Sequence, residues 1–278
     1  MRLATLTLVL AFQLLASASS AEDFQPQFFA FQNGVHFPST AKRIEVLKEL
    51  GYDGMGSINL RDLAHRCREF KAADLKIYSI YTGIQLGKDG AVIPDGLPQA
   101  IRDLQGSDVV IELFIGGTGT DDQAVAGIRS VAGLAAKSNL RVVLYPHSGC
   151  YVDHLADAVR LAKLTKRNNV GVMFNLCHYL MVEPDTNLAE ALKEAQPYLW
   201  RVSLCGAEPG TKSWKTLIQP LDQGSFDYVQ LLRLLRDQRF NGAIGLQCYA
   251  VSGDSRDNLQ RSIRAWRKHL KQLHDDPR

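Results

Sequence analysis

Short apolar runs alternate with amphipathic stretches along almost the whole sequence after residue 21. The runs have the length of buried β-strands, and the stretches between them repeat apolar residues at helical spacing. The predicted strands are residues 28–31, 52–58, 76–81, 109–115, 142–145, 170–174, 200–204 and 243–248. Eight strand–helix units in about 250 residues favour a closed ring of parallel strands over an open sheet. The sequence therefore predicts an α/β fold, a single (β/α)8 TIM barrel.

Helices are predicted between these strands. The first helix is predicted to have Thr40 as its N-terminal cap and to place Ile44, Leu47 and Leu50 on one face. The others are predicted at residues 60–70, 98–104, 123–137, 152–165, 188–195, 228–236 and 257–270. No linker or change of composition divides residues 22–278, so they are expected to form one domain.

The first 21 residues have the pattern of a secretory signal peptide. Arg2 supplies a positive start, residues 3–15 are almost entirely apolar, and small residues follow up to Ala21. The apolar run is shorter than the roughly 20 residues of a membrane span. The prediction is cleavage before Glu22 and export to the periplasm or the outside of the cell, without a membrane span. The alternative is a buried core helix.

Charge and cysteine content exclude some classes of function. The formal net charge is +3 and the basic residues are scattered, which is not the footprint of a nucleic-acid-binding surface. A domain of this size needs no disulfide framework, and an odd number of cysteines leaves at least one thiol unpaired. The five cysteines are Cys67, Cys150, Cys177, Cys205 and Cys248.

Polar side chains stand where four predicted strands end. Tyr145 and His147 follow the fifth strand, Asn175 the sixth, Ser203 the seventh and Gln247 the eighth. Side chains alternate along a strand, so Tyr145 and His147 share one face. The carboxyl ends of barrel strands surround one opening, so these groups are predicted to converge on one pocket.

Four segments carry a resemblance to a known family. They are residues 50–54 (LGYDG), 169–178 (NVGVMFNLCH), 223–227 (QGSFD) and 242–247 (GAIGLQ). In this order and spacing the chain resembles the xylose isomerase-like barrel superfamily of sugar phosphate isomerases and epimerases. The resemblance implies a barrel that binds a sugar and moves a proton next to a carbonyl group.

The resemblance also implies a divalent metal, which the family holds with Glu, Asp, His and Glu from strands five to eight. At these positions the chain has Tyr145, Asn175, Ser203 and Gln247, all neutral, while His178 matches a further family histidine. A hard cation prefers anionic oxygen ligands. No cofactor is therefore expected, and Asn175 and Gln247 are predicted to bind sugar hydroxyls instead. A divalent metal remains the alternative.

A re-formed metal site would use softer ligands. His147, Cys177, His178 and Cys205 lie near neighbouring strand ends, and imidazole and thiolate suit zinc. Cys177 and His178 would point to opposite faces of a regular strand. The two cysteines could equally be buried filler or form a disulfide with each other.

Three residues are candidates for acid–base catalysis. His147 and His178 titrate near neutral pH. Glu112 is the only carboxylate inside an apolar strand, where burial would raise its pKa towards that of a useful base. The alternatives are structural histidines and a structural ion pair.

Two further residues are predicted to contact substrate. His36 follows the first strand and could reach the barrel mouth. Trp214 lies in the long segment after the seventh strand, and long segments in compact domains are often lids or binding loops. Its ring could stack on a sugar or pack on the barrel as a plug.

The function predicted from these features is an exported isomerase, epimerase or lyase. Its partner would be a small unphosphorylated sugar or polyol, because export argues against a phosphorylated metabolite. The alternatives are a non-catalytic carbohydrate-binding barrel and a structural protein without a ligand. The sequence does not indicate an oligomeric state.

Overall fold

The computed structural model describes residues 24–183 and 187–276, so the predicted signal peptide lies outside the described residues. Ten strands of the described part form one sheet in the order β3-β2-β1-β10-β9-β8-β7-β6-β4-β5. They are β1 (Phe28–Phe31), β2 (Gly54–Gly56), β3 (Lys76–Ile77), β4 (Ser79–Gly87), β5 (Gly90–Val92), β6 (Val110–Gly117), β7 (Arg141–Leu144), β8 (Val170–Asn175), β9 (Leu199–Leu204) and β10 (Ala243–Leu246).

The sheet closes into a ring at Tyr78, the single residue between β3 and β4. Its N–H donates to the Met55 carbonyl at 2.8 Å, and its carbonyl accepts from the Val110 N–H at 3.0 Å. β3 pairs in parallel with β2, and β4 pairs in parallel with β6. Together β3 and β4 are therefore the third strand of an eight-stranded parallel ring, which confirms the predicted barrel. β5 adds an antiparallel strand to β4 outside the ring.

The helices predicted from the sequence lie between the barrel strands, and the structure adds two short ones, after β8 and after β9. The helices are α1 (Thr40–Leu50), α2 (Leu63–Ala72), α3 (Leu97–Asp103), α4 (Asp121–Lys137), α5 (Leu155–Thr165), α6 (Leu176–Val182), α7 (Leu188–Ala195), α8 (Trp214–Leu217), α9 (Tyr228–Asp237) and α10 (Ser255–Asp275). None of these helices is long and apolar enough to cross a bilayer.

The start of α1 corrects one prediction. The cap is Ser39 and not Thr40, because Ser39 has an extended backbone and its hydroxyl accepts the N–H of Lys42 at 3.1 Å. Thr40 is the first helical residue. A capping hydroxyl must lie one residue before the helix to reach the free N–H groups of its first turn.

α6 is a helix that the sequence did not predict. It begins at Leu176, directly after β8, so Cys177 and His178 lie on a helix and not on an extended strand end. Residues 170–182 are apolar except for Asn175 and His178, and such a run does not separate strand from helix by periodicity. The change matters because it decides where His178 points.

The barrel interior is a packed core of large side chains. Gly56 and Gly245 make room for them, since a Cβ there would lie 2.2 Å from Phe29 Cε2 and 2.3 Å from Phe31 Cε1, respectively. The interior cluster contains Phe29, Phe31, Tyr78, Val110, Val143, Tyr145, Met173 and Ala243. A second, larger apolar layer separates the strands from the helices. Because the interior is filled, a ligand site must lie at an end of the barrel.

Candidate active site

A cavity of about 920 Å³ lies beyond the carboxyl ends of the strands. Asn33 reaches it from the segment after β1, Ser57 from the segment after β2, and Gln247 from the segment after β10. Tyr145 and His147 line it after β7. This is the end of the barrel at which the sequence placed the site, and the volume suits a small-molecule ligand.

Two histidines meet in the wall of this cavity. The ring centroids of His147 and His178 are 4.1 Å apart. The backbone of Ser148 contacts both rings, because its carbonyl oxygen lies 3.0 Å from His147 Nδ1 and its N–H donates to His178 Nδ1 at 3.1 Å. α6 makes this possible by turning His178 into the cavity while Cys177 is fully buried in the core.

These contacts assign opposite tautomers to the two rings. A carbonyl oxygen only accepts, so Nδ1 of His147 carries a proton, whereas a backbone N–H only donates, so Nδ1 of His178 carries none. In the neutral rings, Nε2 of His147 is therefore a proton acceptor and Nε2 of His178 is a proton donor. The arrangement pairs a base with a hydrogen-bond donor on one wall.

Burial keeps both rings uncharged at neutral pH. It lowers the pKa of His147 from its ordinary value of 6.5, against the opposing effect of the hydrogen bond to Ser148. Burial, followed by the neighbouring His147, lowers the pKa of His178 to about 3. The ionisation states thus agree with the tautomers that the hydrogen bonds assign.

Gln247 is held in place by a network at the cavity floor. Its Oε1 accepts from Asn33 Nδ2 at 2.5 Å and from the N–H groups of Cys248 and Tyr249, each at 3.0 Å. Its Nε2 donates to the Tyr145 hydroxyl at 3.3 Å. The Gln247 amide is therefore held in one orientation. Because it donates to the oxygen of the Tyr145 hydroxyl, the hydroxyl proton can point towards a ligand in the cavity.

Asn175 and Ser203 lie together but do not line the cavity. The Ser203 hydroxyl donates to Asn175 Oδ1 at 3.0 Å, and the Cys177 thiol donates to the same oxygen at 3.3 Å. Both side chains are buried, and Asn175 Nδ2 has no hydrogen-bond partner of ordinary geometry in the described part of the chain. Asn175 and Ser203 were predicted to bind the ligand, but the structure places them beneath the residues that line the cavity.

Glu112 points into the barrel interior. It is fully buried, and among residues 24–183 and 187–276 neither of its carboxylate oxygens has a hydrogen-bond partner of ordinary geometry. Burial raises its pKa to about 7, against the opposing effects of the Ser79 and Ser57 hydroxyls and the Arg201 guanidinium. Ser57 lines the cavity and Glu112 does not, so the structure separates this candidate base from the histidine pair.

The structure places the two remaining predicted residues differently from each other. His36 is exposed and lies outside the cavity lining, so it is not brought to the site. Trp214 begins α8 and lines the cavity with 41% of its surface exposed. Its ring meets the His178 ring edge-on, with centroids 5.1 Å apart. The Trp214 ring therefore contacts the histidine, and the residue remains partly exposed to a ligand.

Several cavity residues were missed by the sequence analysis. Asn33 and Ser57 follow strands one and two, and they could have been found by the strand-end rule that identified Tyr145. Lys215 and Arg261 also line the cavity, but they come from α8 and α10, far from any strand end. No local pattern marks them, because only the folded chain brings those helices to the opening.

The residues present do not fit the divalent metal that the resemblance implies. All of Tyr145, Asn175, Ser203 and Gln247 are neutral, and the Gln247 and Asn175 oxygens already accept two or more hydrogen bonds each. A hard cation would have to displace those donors without gaining an anionic ligand. The donor set therefore suits hydrogen bonding to a ligand, and we derive no step through a metal.

The alternative zinc set is not assembled either. Among the described residues, the His147, Cys177, His178 and Cys205 ligand atoms form no group of three within 4.8 Å of one another. Cys177 and Cys205 are both free thiols. The group that does meet this distance is Asp153, His154 and Asp157 at the start of α5, outside the cavity lining.

Comparisons with known proteins agree with this architecture. The family model described as xylose isomerase-like TIM barrel matches residues 44–269. No curated protein matches the chain.

Solved structures are similar over nearly their whole length. The apo form of the 3-keto-D-glucoside 4-epimerase YcjR from E. coli has a TM-score of 0.69 and 19% identity, over 89% of this chain and 100% of that chain. An L-ribulose 3-epimerase has a TM-score of 0.71 and 12% identity, over 90% and 96%. The IolI protein with a bound zinc atom has a TM-score of 0.69 and 16% identity, over 89% and 99%. At such identities these similarities establish the fold.

Proposed function

Because the chain belongs to the xylose isomerase-like TIM barrel family, we propose that it is a metal-independent sugar isomerase, epimerase or lyase. The substrate would be an unphosphorylated sugar or polyol derivative with a carbonyl group. The observation that carries the proposal is the histidine pair, two neutral rings held by one backbone residue as a base and a donor.

The first chemical step follows from the tautomers. Nε2 of His147 takes the proton from the carbon next to the carbonyl, the C–H electron pair forms the carbon–carbon double bond, and the carbonyl electrons move to oxygen. Nε2–H of His178 donates a hydrogen bond to that oxygen and stabilises its developing charge. Return of the proton to the former carbonyl carbon, while the hydroxyl proton of the adjacent carbon moves to the enolate oxygen, gives an isomer. Alternatively, a hydroxyl group on the carbon beyond the deprotonated one leaves as water with the proton from the His147 imidazolium, and the enolate electrons re-form the carbonyl, which gives an elimination product.

The remaining cavity groups would position the sugar. The Tyr145 hydroxyl, held by Gln247, can donate to a sugar oxygen, and Asn33 and Asn59 offer amide groups to hydroxyls. Trp214 offers the partly exposed face of its ring. The epimerases among the similar structures act on sugars, which supports a sugar ligand here.

The proposed location is outside the cytoplasm. The pattern of residues 1–21 supports export, and an exported protein would meet free sugars and not the phosphorylated intermediates of the cell interior. A purified protein from its native host that begins at residue 22 would support this location, and one that begins at residue 1 would contradict it.

A proton-exchange experiment tests the proposed function. The protein is treated with a chelator and incubated in deuterium oxide with a panel of aldoses, ketoses and keto-glycosides. Enzyme-dependent deuterium incorporation at a carbon next to the carbonyl, undiminished by the chelator, is expected. Exchange that disappears with the chelator and returns with a divalent metal would contradict metal independence. Ligand binding without exchange would leave a carbohydrate-binding barrel as the function.

The pKa shifts predict a simple pH dependence. The proton acceptor must be unprotonated, and the pKa of His147 lies below 6.5. Since the pKa of His178 is about 3, that residue adds no titration above about pH 4. We expect kcat/KM to be constant through neutral pH and to fall along a single acidic limb below pH 6.5. Measurement from pH 4 to 9 checks this, and activity that increases below pH 6 would contradict it.

A further inference from the structure

The charged groups that line the cavity are of one sign. Among the described residues, the lining contains no aspartate or glutamate, and it contains the cations Lys215 and Arg261. The histidines of the site are uncharged at neutral pH because their pKa values are lowered. A cavity without a carboxylate favours a ligand that is neutral or negatively charged.

The two cations differ in whether a neighbouring carboxylate balances their positive charge. Arg261 pairs with Asp222 through two hydrogen bonds, at 2.9 and 3.0 Å, so its charge is largely neutralised. Lys215 has no carboxylate within 4.0 Å and no hydrogen-bond partner among the residues that the structure describes. Glu208, on the same loop, binds the Ser225 hydroxyl at 2.6 Å. Within the described part of the chain, Lys215 is therefore the one charge of the lining without a carboxylate partner.

Lys215 lines the same cavity as the proposed reaction centre. It follows Trp214, whose ring meets the His178 ring with centroids 5.1 Å apart. Lys215 and both histidines line this one cavity. A ligand bound in this cavity therefore has both the histidine pair and Lys215 in its surroundings.

We infer that the ligand of this cavity is a sugar derivative that carries a carboxylate, which Lys215 binds. The inference rests on the proposed function and specifies its substrate class. One uncompensated ammonium group matches one negative charge. A phosphate group carries up to two charges and is usually held by several donors or by a helix N-terminus. The nearby N-terminus of α10 is already capped by the Asp254 carboxylate, which accepts the Asp257 N–H.

Binding measurements with matched pairs of compounds test the inference. D-gluconate, D-galactonate and D-mannonate are compared with the corresponding alditols, which have the same hydroxyl pattern without the carboxylate. Isothermal titration calorimetry should show at least one acid binding about fivefold more tightly than its alditol, the size expected for a partly exposed ion pair. The advantage should shrink when the salt concentration increases from about 0.1 M to 1 M, because ions screen the pair.

Two variants connect the preference to the residue. Lys215→Met should remove the preference for the acid without changing the affinity for the alditol. Lys137→Met is the matched control, since Lys137 is exposed at the end of α4, next to the start of β7 and away from the cavity. It should keep the preference.

The outcomes separate this inference from the proposed function. Equal or weaker binding of every acid, binding of neither series, a preference that survives Lys215→Met, or tighter binding of the matching sugar phosphates would each overturn the inference. None of these results bears on proton exchange with neutral sugars. Conversely, a carboxylate preference without any proton exchange would support the inference while the catalytic proposal fails.

Discussion

Replacing His147 by asparagine is expected to lower kcat by about 10²–10⁴-fold, the usual contribution of a positioned general base. The asparagine amide carries an N–H near the position of Nδ1, so the hydrogen bond to the Ser148 carbonyl can be kept. It has no group with the basicity of Nε2. The loss should appear in kcat more than in KM, because the proton is transferred after the sugar is bound.

The comparison variants show whether the loss reflects the base. His65→Asn is the matched control, since His65 lies on α2 with 64% of its side chain exposed. It should have full activity. His178→Asn should lower kcat and retain the acidic limb of kcat/KM, because that limb belongs to His147. His147→Asn should remove the limb from whatever activity remains. An unchanged kcat in a folded His147→Asn protein would exclude this residue as the base.

Replacing Glu112 by glutamine is expected to change how stability depends on pH. Burial raises the pKa of Glu112 from 4.5 to about 7 in the folded protein. Below pH 4.5 the carboxyl is protonated in both the folded and the unfolded chain, and glutamine resembles that neutral form. Between pH 4.5 and 7 the unfolded chain releases the proton first, so wild-type stability falls with increasing pH.

The expected difference is large for a single residue. Relative to the wild type, the variant should gain about 3 kcal/mol in the free energy of unfolding between pH 4 and 8, since each pKa unit corresponds to about 1.4 kcal/mol. Urea unfolding of both proteins at a series of pH values measures it. Glu194→Gln, at an exposed position on α7, serves as control and should show no such change. A difference that does not vary with pH would mean that Glu112 titrates normally.

The candidate site was predicted in part. The strand-end rule identified Tyr145, His147 and Gln247 because each follows a strand whose apolar pattern is visible in the sequence. Glu112 was placed among the bases for a different reason, its position inside an apolar strand, and that pattern does not show whether the side chain faces the cavity or the filled barrel interior. His36 was expected at the mouth because it follows β1, but it is exposed outside the lining.

The sequence by itself determined the barrel and the chemical types available to its site. A short apolar run indicates a buried strand, and apolar residues repeated every three to four positions indicate the buried face of a helix. Both patterns are local, so eight strand–helix units could be counted without knowledge of any tertiary contact. The sequence alone also shows that neutral residues occupy the positions at which the family holds its metal.

Only the tertiary structure decided which of these groups meet. A helix rotates the side chain by about 100° per residue, so the unpredicted α6 directs His178 to the cavity and Cys177 to the core. The Ser148 backbone then sets the tautomers of His147 and His178, and the fold brings Lys215 of α8 to the cavity wall. These contacts join residues that are far apart in the chain. The distances between them depend on how the strands pack in the closed ring, and no local sequence pattern encodes those distances.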